Sequence, residues 1–251
     1  MDNTMYVGLS KQILLQRELD IVSNNLANVD TNGFKVESMV SATDSATPAR
    51  TIGVTQPVQF AVANGVARDF TQGGLRQTGA PLDLAISGAG FFQVQTASGV
   101  QYTRDGRFAT NAQSQLVTQS GDPVLDASGS PISINPQAGA PTIGNDGTIT
   151  QKVAGQVGSQ VIGKIGVVTF PDLSALSKQG DGLYSLSTNQ TAQPAVNATV
   201  EQGMLEGSNV QPIIQITDLI RIQRAYEMVS QMLSSTSDLS SSAVQQLGSV
   251  Q

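Results

Sequence analysis

The chain contains no cysteine, no histidine and no tryptophan. Without cysteine there is no disulfide framework, no thiolate nucleophile and no soft-metal site. Without histidine it lacks the side chain that most often moves protons near neutral pH, and the commonest zinc and copper ligand. These absences exclude Ser–His–Asp hydrolases, cysteine proteases and zinc hydrolases together, and no catalytic, cofactor or metal site is expected. Aromatics are scarce, at 4% of 251 residues. Charged residues reach only 13%, about half the usual share. Polarity comes instead from Gln, Ser, Thr and Asn. Such a surface repels itself weakly and suits close packing against copies of itself, although an ordinary extracytoplasmic surface has the same composition.

Basic clusters are missing as well. The net charge is −6, and the longest basic grouping is Arg221 with Arg224. Phosphate binding needs clustered Lys and Arg, so nucleic acid is not an expected partner. No segment supplies the roughly 20 uncharged apolar residues that span a bilayer, so no membrane insertion is expected. The first residues lack a basic leader, and Lys11, Gln12, Gln16, Arg17, Glu18 and Asp20 interrupt the apolar ones. The expectation is a cytosolic chain or export by a route that cleaves nothing.

What is present sits at the two ends. Leu15, Leu19, Val22, Leu26 and Val29 recur at steps of four, three, four and three; Leu219, Ile222, Tyr226, Val229 and Leu233 recur at steps of three, four, three and four. Both are apolar stripes with the spacing of a helix seam. The ends match each other better than either matches the middle. Residues 1–30 read as one amphipathic helix, weakened by Asn24, Asn25 and Asn28 and stopped near Gly33. A second helix starts near Pro212, reaches about Leu233 and continues into the serine-rich stretch, with fraying expected at the very end.

Between the helices the chain is rich in Gly, Ser, Thr and Gln. Residues 37–60 read as extended or loosely structured, a linker broken by Pro48 and Gly53. From about 60 to 200 the pattern is short strands: 58–62, 82–86, 91–95, 107–110, 115–118, 132–134, 148–151 and 160–170. Turn signals separate them, among them Ser98-Gly99, Asp105-Gly106, Gly121-Asp122-Pro123, Asn145-Asp146-Gly147 and Gly180-Asp181-Gly182. Residues 190–209 read as polar and mostly extended. The fold class is therefore α+β: terminal helices forming a coiled-coil-like assembly domain, with a central all-β domain inserted. The expected divisions are 1–36, 37–80, 81–200 and 201–251.

Four local motifs stand out. Ala27-Asn28-Val29-Asp30-Thr31-Asn32-Gly33-Phe34-Lys35 reads on its own as a helix cap with an apolar anchor. In Leu84-Ala85-Ile86-Ser87-Gly88-Ala89-Gly90-Phe91-Phe92, the Gly-Ala-Gly has no following helix and no Lys-Ser/Thr. A bulge or tight turn fits it better than a phosphate loop. Tyr102-Thr103-Arg104-Asp105-Gly106-Arg107-Phe108 reads as a hairpin with charges at its turn. Leu205-Glu206-Gly207-Ser208-Asn209-Val210 precedes the last helix, which carries Gln223-Arg224-Ala225-Tyr226-Glu227.

Taken together, SNNLANVDTNGFK, LAISGAGFFQV with YTRDGRF, and LEGSNV with QRAYE resemble the flagellar basal-body rod and hook protein family, in the family's order and over nearly the whole chain. Length sets the hook protein aside. Within the family, GDPVLD and the opening MDNTMYVGLS resemble the proximal-rod type more than the distal-rod type. The resemblance implies a structural role with no cofactor: a subunit of the rod in the periplasmic space, stacking on copies of itself and on other rod proteins above and below. It also implies passage through the flagellar export apparatus without a cleaved signal. Its functional positions would be the two stripes; Ala27, Asn28, Thr31, Gly33, Phe34 and Lys35; and Gly88, Gly90, Phe91, Phe92, Tyr102, Arg104, Asp105 and Gly106. Two departures stand out. Ser114 replaces a family glycine, which implies a turn made there without positive φ. Leu9-Ser10-Lys11 replaces a small residue and Gly.

Other classes fit less well. A secreted β-rich adhesin shares the composition but would carry a cleavable signal or a repeat. A glycosidase would use paired carboxylates such as Asp83, Asp105, Asp122 and Asp126, yet most of these sit at turns, where Asp serves the backbone. No calcium-loop spacing occurs. The seams predict that residues 1–35 and about 205–251 order only on assembly.

Overall fold

The computed structural model describes residues 3–51, 54–152, 158–187 and 190–248. The expected breaker Gly53 lies outside the described residues, as do 249–251, where fraying was expected. Two compact units divide the chain.

The first unit comprises the two ends plus residues 37–69. Helix α1 spans Asn3–Ala27, two strands follow as β1 (Glu37–Thr51) and β2 (Val54–Arg68), and helix α2 spans Pro212–Gly248. The apolar stripes put the helices together. Leu15, Val22 and Ile222 form a buried core against which Leu19, Leu219, Ala225, Tyr226 and Val229 pack. Each such side chain removed from water contributes about 1.5–3 kcal/mol. The helices run antiparallel: Arg221 reaches Glu18 at 3.4 Å and Asn25 donates to Gln215 at 3.0 Å. Gly8 leaves room for Leu233, since a Cβ there would lie 2.5 Å from that side chain. The stripes thus cover each other within one chain.

Residues 37–51 and 54–68 are not a loose linker. They pair as one antiparallel ribbon from Glu37↔Arg68 to Thr51↔Val54, with a register shift between Val40 and Ser41. Glu37 and Arg68 close its base with an ion pair at 2.8 Å.

The second unit comprises 28–36 and 70–210. Its strands are β3 (Leu75–Gln77), β4 (Leu84–Ser87), β5 (Phe91–Thr96), β6 (Gly99–Thr103), β7 (Ala109–Thr110), β8 (Leu116–Val117), β9 (Thr142–Ile143), β10 (Thr148–Lys152), β11 (Ser159–Lys164), β12 (Val167–Thr169), β13 (Leu176–Lys178), β14 (Leu183–Leu186), β15 (Gln193–Pro194), β16 (Thr199–Gln202) and β17 (Met204–Glu206). The largest sheet has the order β13-β14-β6-β5-β12-β15. Strand β5 alternates, so its neighbours Phe91 and Phe92 face opposite sides. Phe92 joins a core with Leu84, Ile86, Val94, Leu116 and Val124. Phe91 joins one with Tyr102, Val168, Phe170, Leu176 and Tyr184.

Several expectations shift in detail. The run 160–170 splits into β11 and β12, and Ile132–Ile134 forms only a lone rung, Gln115↔Ser133, with no strand. The hairpin sits one strand earlier than the charged motif suggested: β5 and β6 turn at Ala97-Ser98, and Arg104–Arg107 lead onward from β6. Ser114 has φ +64°, so the turn keeps the left-handed conformation with serine in the glycine position.

Candidate assembly site

In the first unit, the candidate site is the helix pair. Leu15, Val22 and Ile222 are buried, while Leu19, Leu219, Tyr226 and Val229 are partly buried against them. Leu26 and Leu233 are half-buried. Asn25 is the polar residue of this pair that sequence reasoning missed. It is 1% exposed, donates to the Glu37 carbonyl at 2.7 Å, and accepts from the Glu37 amide at 2.9 Å. A buried asparagine with these partners ties α1, β1 and α2 in one register. A helical Asn is locally unfavourable, and only its tertiary partners explain it.

Helix α1 stops at Ala27, before the expected Gly33. Asn28 and Thr31 then form a turn in the second unit: Thr31 N–H donates to Asn28 O at 3.2 Å, and its hydroxyl donates to Asn28 Oδ1 at 3.1 Å. Val29 lies in this turn and leaves the stripe. Gly33 has φ +69° and donates to the Glu206 carbonyl at 2.8 Å. A Cβ on Gly33 would come within 2.6 Å of the Arg104 backbone. Phe34 is buried beneath the Lys178 ammonium, 4.4 Å from the ring centre.

Around Glu206 the three signatures of the sequence converge. Lys35 from the first motif lies 2.5 Å from Glu206 Oε1, and Arg104 from the central motif lies 2.8 Å from Oε2. All three side chains are buried. Lys35 also donates to the Thr71 carbonyl at 2.6 Å, and the Gly73 amide donates to Glu206 Oε1 at 3.0 Å. Arg104 donates to the Gly88 carbonyl at 2.9 Å, and its guanidinium lies 5.3 Å from the Phe91 ring centre. Buried charges persist only when paired and hydrogen-bonded, as here. Asn209 completes the junction, accepting from the Val36 amide at 2.7 Å and donating to the Thr71 carbonyl at 3.2 Å.

The remaining central positions are structural. A Cβ on Gly106 would overlap the Leu84 carbonyl, and the Gly106 carbonyl accepts from the Leu84 amide at 3.0 Å. A Cβ on Gly90 would lie 2.7 Å from the Val167 side chain. Asp105 pairs with Arg107 at 2.7 Å, which raises the Arg107 pKa. Tyr102 packs edge-on to Phe170 at 4.7 Å, and burial raises its hydroxyl pKa. Asp126 accepts from the amides of Ser128 and Ser130, the backbone role that turn positions predict.

Comparison with known proteins matches three segments. Residues 5–35 match the family described as "Flagella basal body rod protein". Residues 85–151 match "Flagellar hook protein FlgE/F/G D1 domain", and residues 201–246 match "Flagellar basal body rod FlgEFG protein C-terminal". The "Flagellar basal-body rod protein FlgF" of Caulobacter vibrioides is 53% identical over 250 residues, covering 100% of both chains. That of Mesorhizobium japonicum is 35% identical, covering 99% of each. The "Flagellar basal-body rod protein FlgG" of Buchnera aphidicola subsp. Acyrthosiphon pisum is 37% identical, covering 92% of this chain and 93% of its own.

Proposed function

The chain belongs to the flagellar basal-body rod protein family and is a structural subunit of that rod, not an enzyme; from this premise we propose that it builds the proximal part of the rod and transmits motor torque through it. The observation that carries the proximal reading is the end-to-end match at 53% to a FlgF protein. Identity alone separates the types poorly, since a FlgG at 37% exceeds a FlgF at 35%. Coverage separates them better: the FlgF matches run over 99–100% of this chain, the FlgG match over 92%.

Family membership gives self-assembly with other rod components and a place in the flagellar basal body. The finer reading is that the terminal helices form an inner coiled-coil-like layer. The antiparallel pairing of α1 and α2 through one apolar core supports this. Stacked with a rotation that does not close, such subunits make a tube. The chain reaches its place through the flagellar export apparatus. Among the described residues, no helix is long and apolar enough to cross a membrane.

Electron cryomicroscopy of intact basal bodies, with this chain built into density, tests the reading. Density in the lower rod is the expected result. Density directly beneath the hook would replace the proximal role with the distal one.

A further inference from the structure

The terminal helices carry one pattern twice. Ile13-Leu14-Leu15-Gln16-Arg17-Glu18-Leu19-Asp20-Ile21-Val22-Ser23-Asn24 aligns without a gap on Ile220-Arg221-Ile222-Gln223-Arg224-Ala225-Tyr226-Glu227-Met228-Val229-Ser230-Gln231. Ile, Gln, Arg, Val and Ser repeat unchanged, and Asp/Glu, Ile/Met and Asn/Gln exchange like for like. Leu15 and Ile222, Leu19 and Tyr226, and Val22 and Val229 are equivalent positions, and all six belong to the shared core. Two like helices packed antiparallel form a pseudo-two-fold pair. Their outward faces are therefore equivalent too.

Those faces are bare and charged in matching order. On α1, Arg17 and Asp20 are exposed beside Ile13, which is 48% exposed, and Ile21. On α2, Arg224 and Glu227 are exposed beside Ile220 and Met228, 44% and 66% exposed. Among the described residues, none of these four charges has an ion-pair or hydrogen-bond partner within the chain. Set antiparallel, one α1 face against one α2 face puts Arg17 opposite Glu227 and Asp20 opposite Arg224.

The faces differ in relief. Beside α1, a groove of about 300 Å³ is lined by Arg17, Asp20, Ile21, Met39, Gly65 and Val66. On α2, Met228 stands in the open at the position equivalent to Ile21. One face is a socket and the other a projection. Like against like would also match charges, but it would close into a dimer and set socket on socket. A socket-to-projection contact is heterologous and leaves both faces free at the ends of the stack, as a tube requires.

We infer that the outward face of α1 in one copy receives the outward face of α2 in a second copy of this chain, with Met228 in the groove and Arg17–Glu227 and Asp20–Arg224 paired across the contact. This rests on the reading of the chain as a rod subunit that stacks on itself. Facing like charges oppose association strongly, and restoring opposite charges restores it.

The test is a charge exchange in full-length chains expressed in flagellated cells, read as the amount of chain in isolated basal bodies. Arg17→Glu alone and Glu227→Arg alone each lower incorporation about tenfold, and together they restore it to within about twofold of the starting chain. Loss in the double variant as deep as in the singles overturns the contact. A second measurement uses the absence of native cysteine: cells co-express Ile13→Cys and Gln231→Cys chains, which the same antiparallel register sets opposite each other, and basal bodies are oxidised. Mixed disulfide dimers are expected. Ile13–Ile13 or Gln231–Gln231 dimers alone, or none with both chains incorporated, overturn the contact. Absence of the unsubstituted chain from basal bodies would overturn the rod reading itself, so the two failures are distinguishable.

Discussion

Lys35 and Glu206, 171 residues apart in the chain, meet at 2.5 Å with neither side chain reaching solvent. Arg104 holds the other oxygen of the same carboxylate. One anion therefore joins the first, central and last signatures of the sequence. Replacing it strands two cations in a buried site, at a cost of about 3–5 kcal/mol. Glu206→Gln is expected to lower the stability of the second unit by that amount. Lys35→Met is expected to cost less, because the Arg104–Glu206 pair survives. Urea unfolding of the full chain, followed by tyrosine fluorescence, ranks the two. Equal losses would mean the carboxylate is not the hub.

Gly33 is fixed by its neighbours as well as by its φ of +69°. A methyl group there meets the Arg104 backbone at 2.6 Å, and backbone cannot swing aside. Gly33→Ala is expected to cost more than the roughly 1–2 kcal/mol of left-handed strain alone. Gly74 has open space and no positive φ, so Gly74→Ala serves as the control and is expected to be near neutral. Thermal unfolding of both variants checks the contrast.

The parts of this fold written locally were legible, and those written across distance were not. The stripes gave α1 and α2 because a helical period repeats every few residues, and Pro212 marked the second start. Asp-Gly and Gly-Asp pairs marked turns for the same local reason. Glu206, Lys35 and Arg104 were legible only as members of motifs, since a pairing across 171 residues leaves no local period. Asn25 read only as a weakness in the helix because its partners Glu37 and Gln215 lie on other elements. Residues 37–60 read as extended or loose, because small polar residues carry little strand signal, yet the ribbon they join has a continuous register at its base.

Ser114 shows a case where chemistry and backbone disagree. Its φ is +64°, and its amide donates to the Asn111 carbonyl at 3.0 Å. Asn111 Oδ1 in turn accepts from the Gln115 amide at 2.9 Å, which holds the turn whatever residue stands at 114. Left-handed strain of about 1–2 kcal/mol is relieved by glycine, less about 0.5–1 kcal/mol for its freer unfolded chain. Ser114→Gly is thus expected to stabilise by several tenths of a kcal/mol to about 1. Ser114→Val is expected to destabilise. A lower melting temperature for the glycine variant would sink the argument.

The acid limb of stability should follow two surface carboxylates. Asp146 is held below its ordinary pKa by the Thr148 hydroxyl and amide, and Asp172 by Ser174. Their folded values lie below their unfolded ones, so unfolding takes up protons in that window. Their contribution is complete above the unfolded pKa of about 4 and is lost as pH falls through the folded values. Urea midpoints are expected to be flat in these two terms from pH 7 to 5 and to fall below about pH 4. The double variant Asp146→Asn with Asp172→Asn should flatten that fall. An unchanged slope would assign the acid limb to other groups.

Burial sets how far assembly and folding can be separated. Lys35 and Glu206 lie inside the second unit, so the segments 28–36 and 204–210 fold with it and do not wait for assembly. The proposal that the ends order only on stacking is therefore confined to α1 and α2. Val22 is 7% exposed in the small core those helices share. An aspartate there is a buried charge without a partner, which few apolar contacts can offset. Val22→Asp should part the helices, abolish incorporation into basal bodies and leave the second unit folded. Leu19→Asp, only half-buried, should do the same less completely. Hydrogen exchange reads both outcomes at once: fast exchange confined to 3–27 and 211–248 is expected, with strands β4, β5 and β6 as protected as before. Equal loss of protection in those strands would show that the two units fold as one.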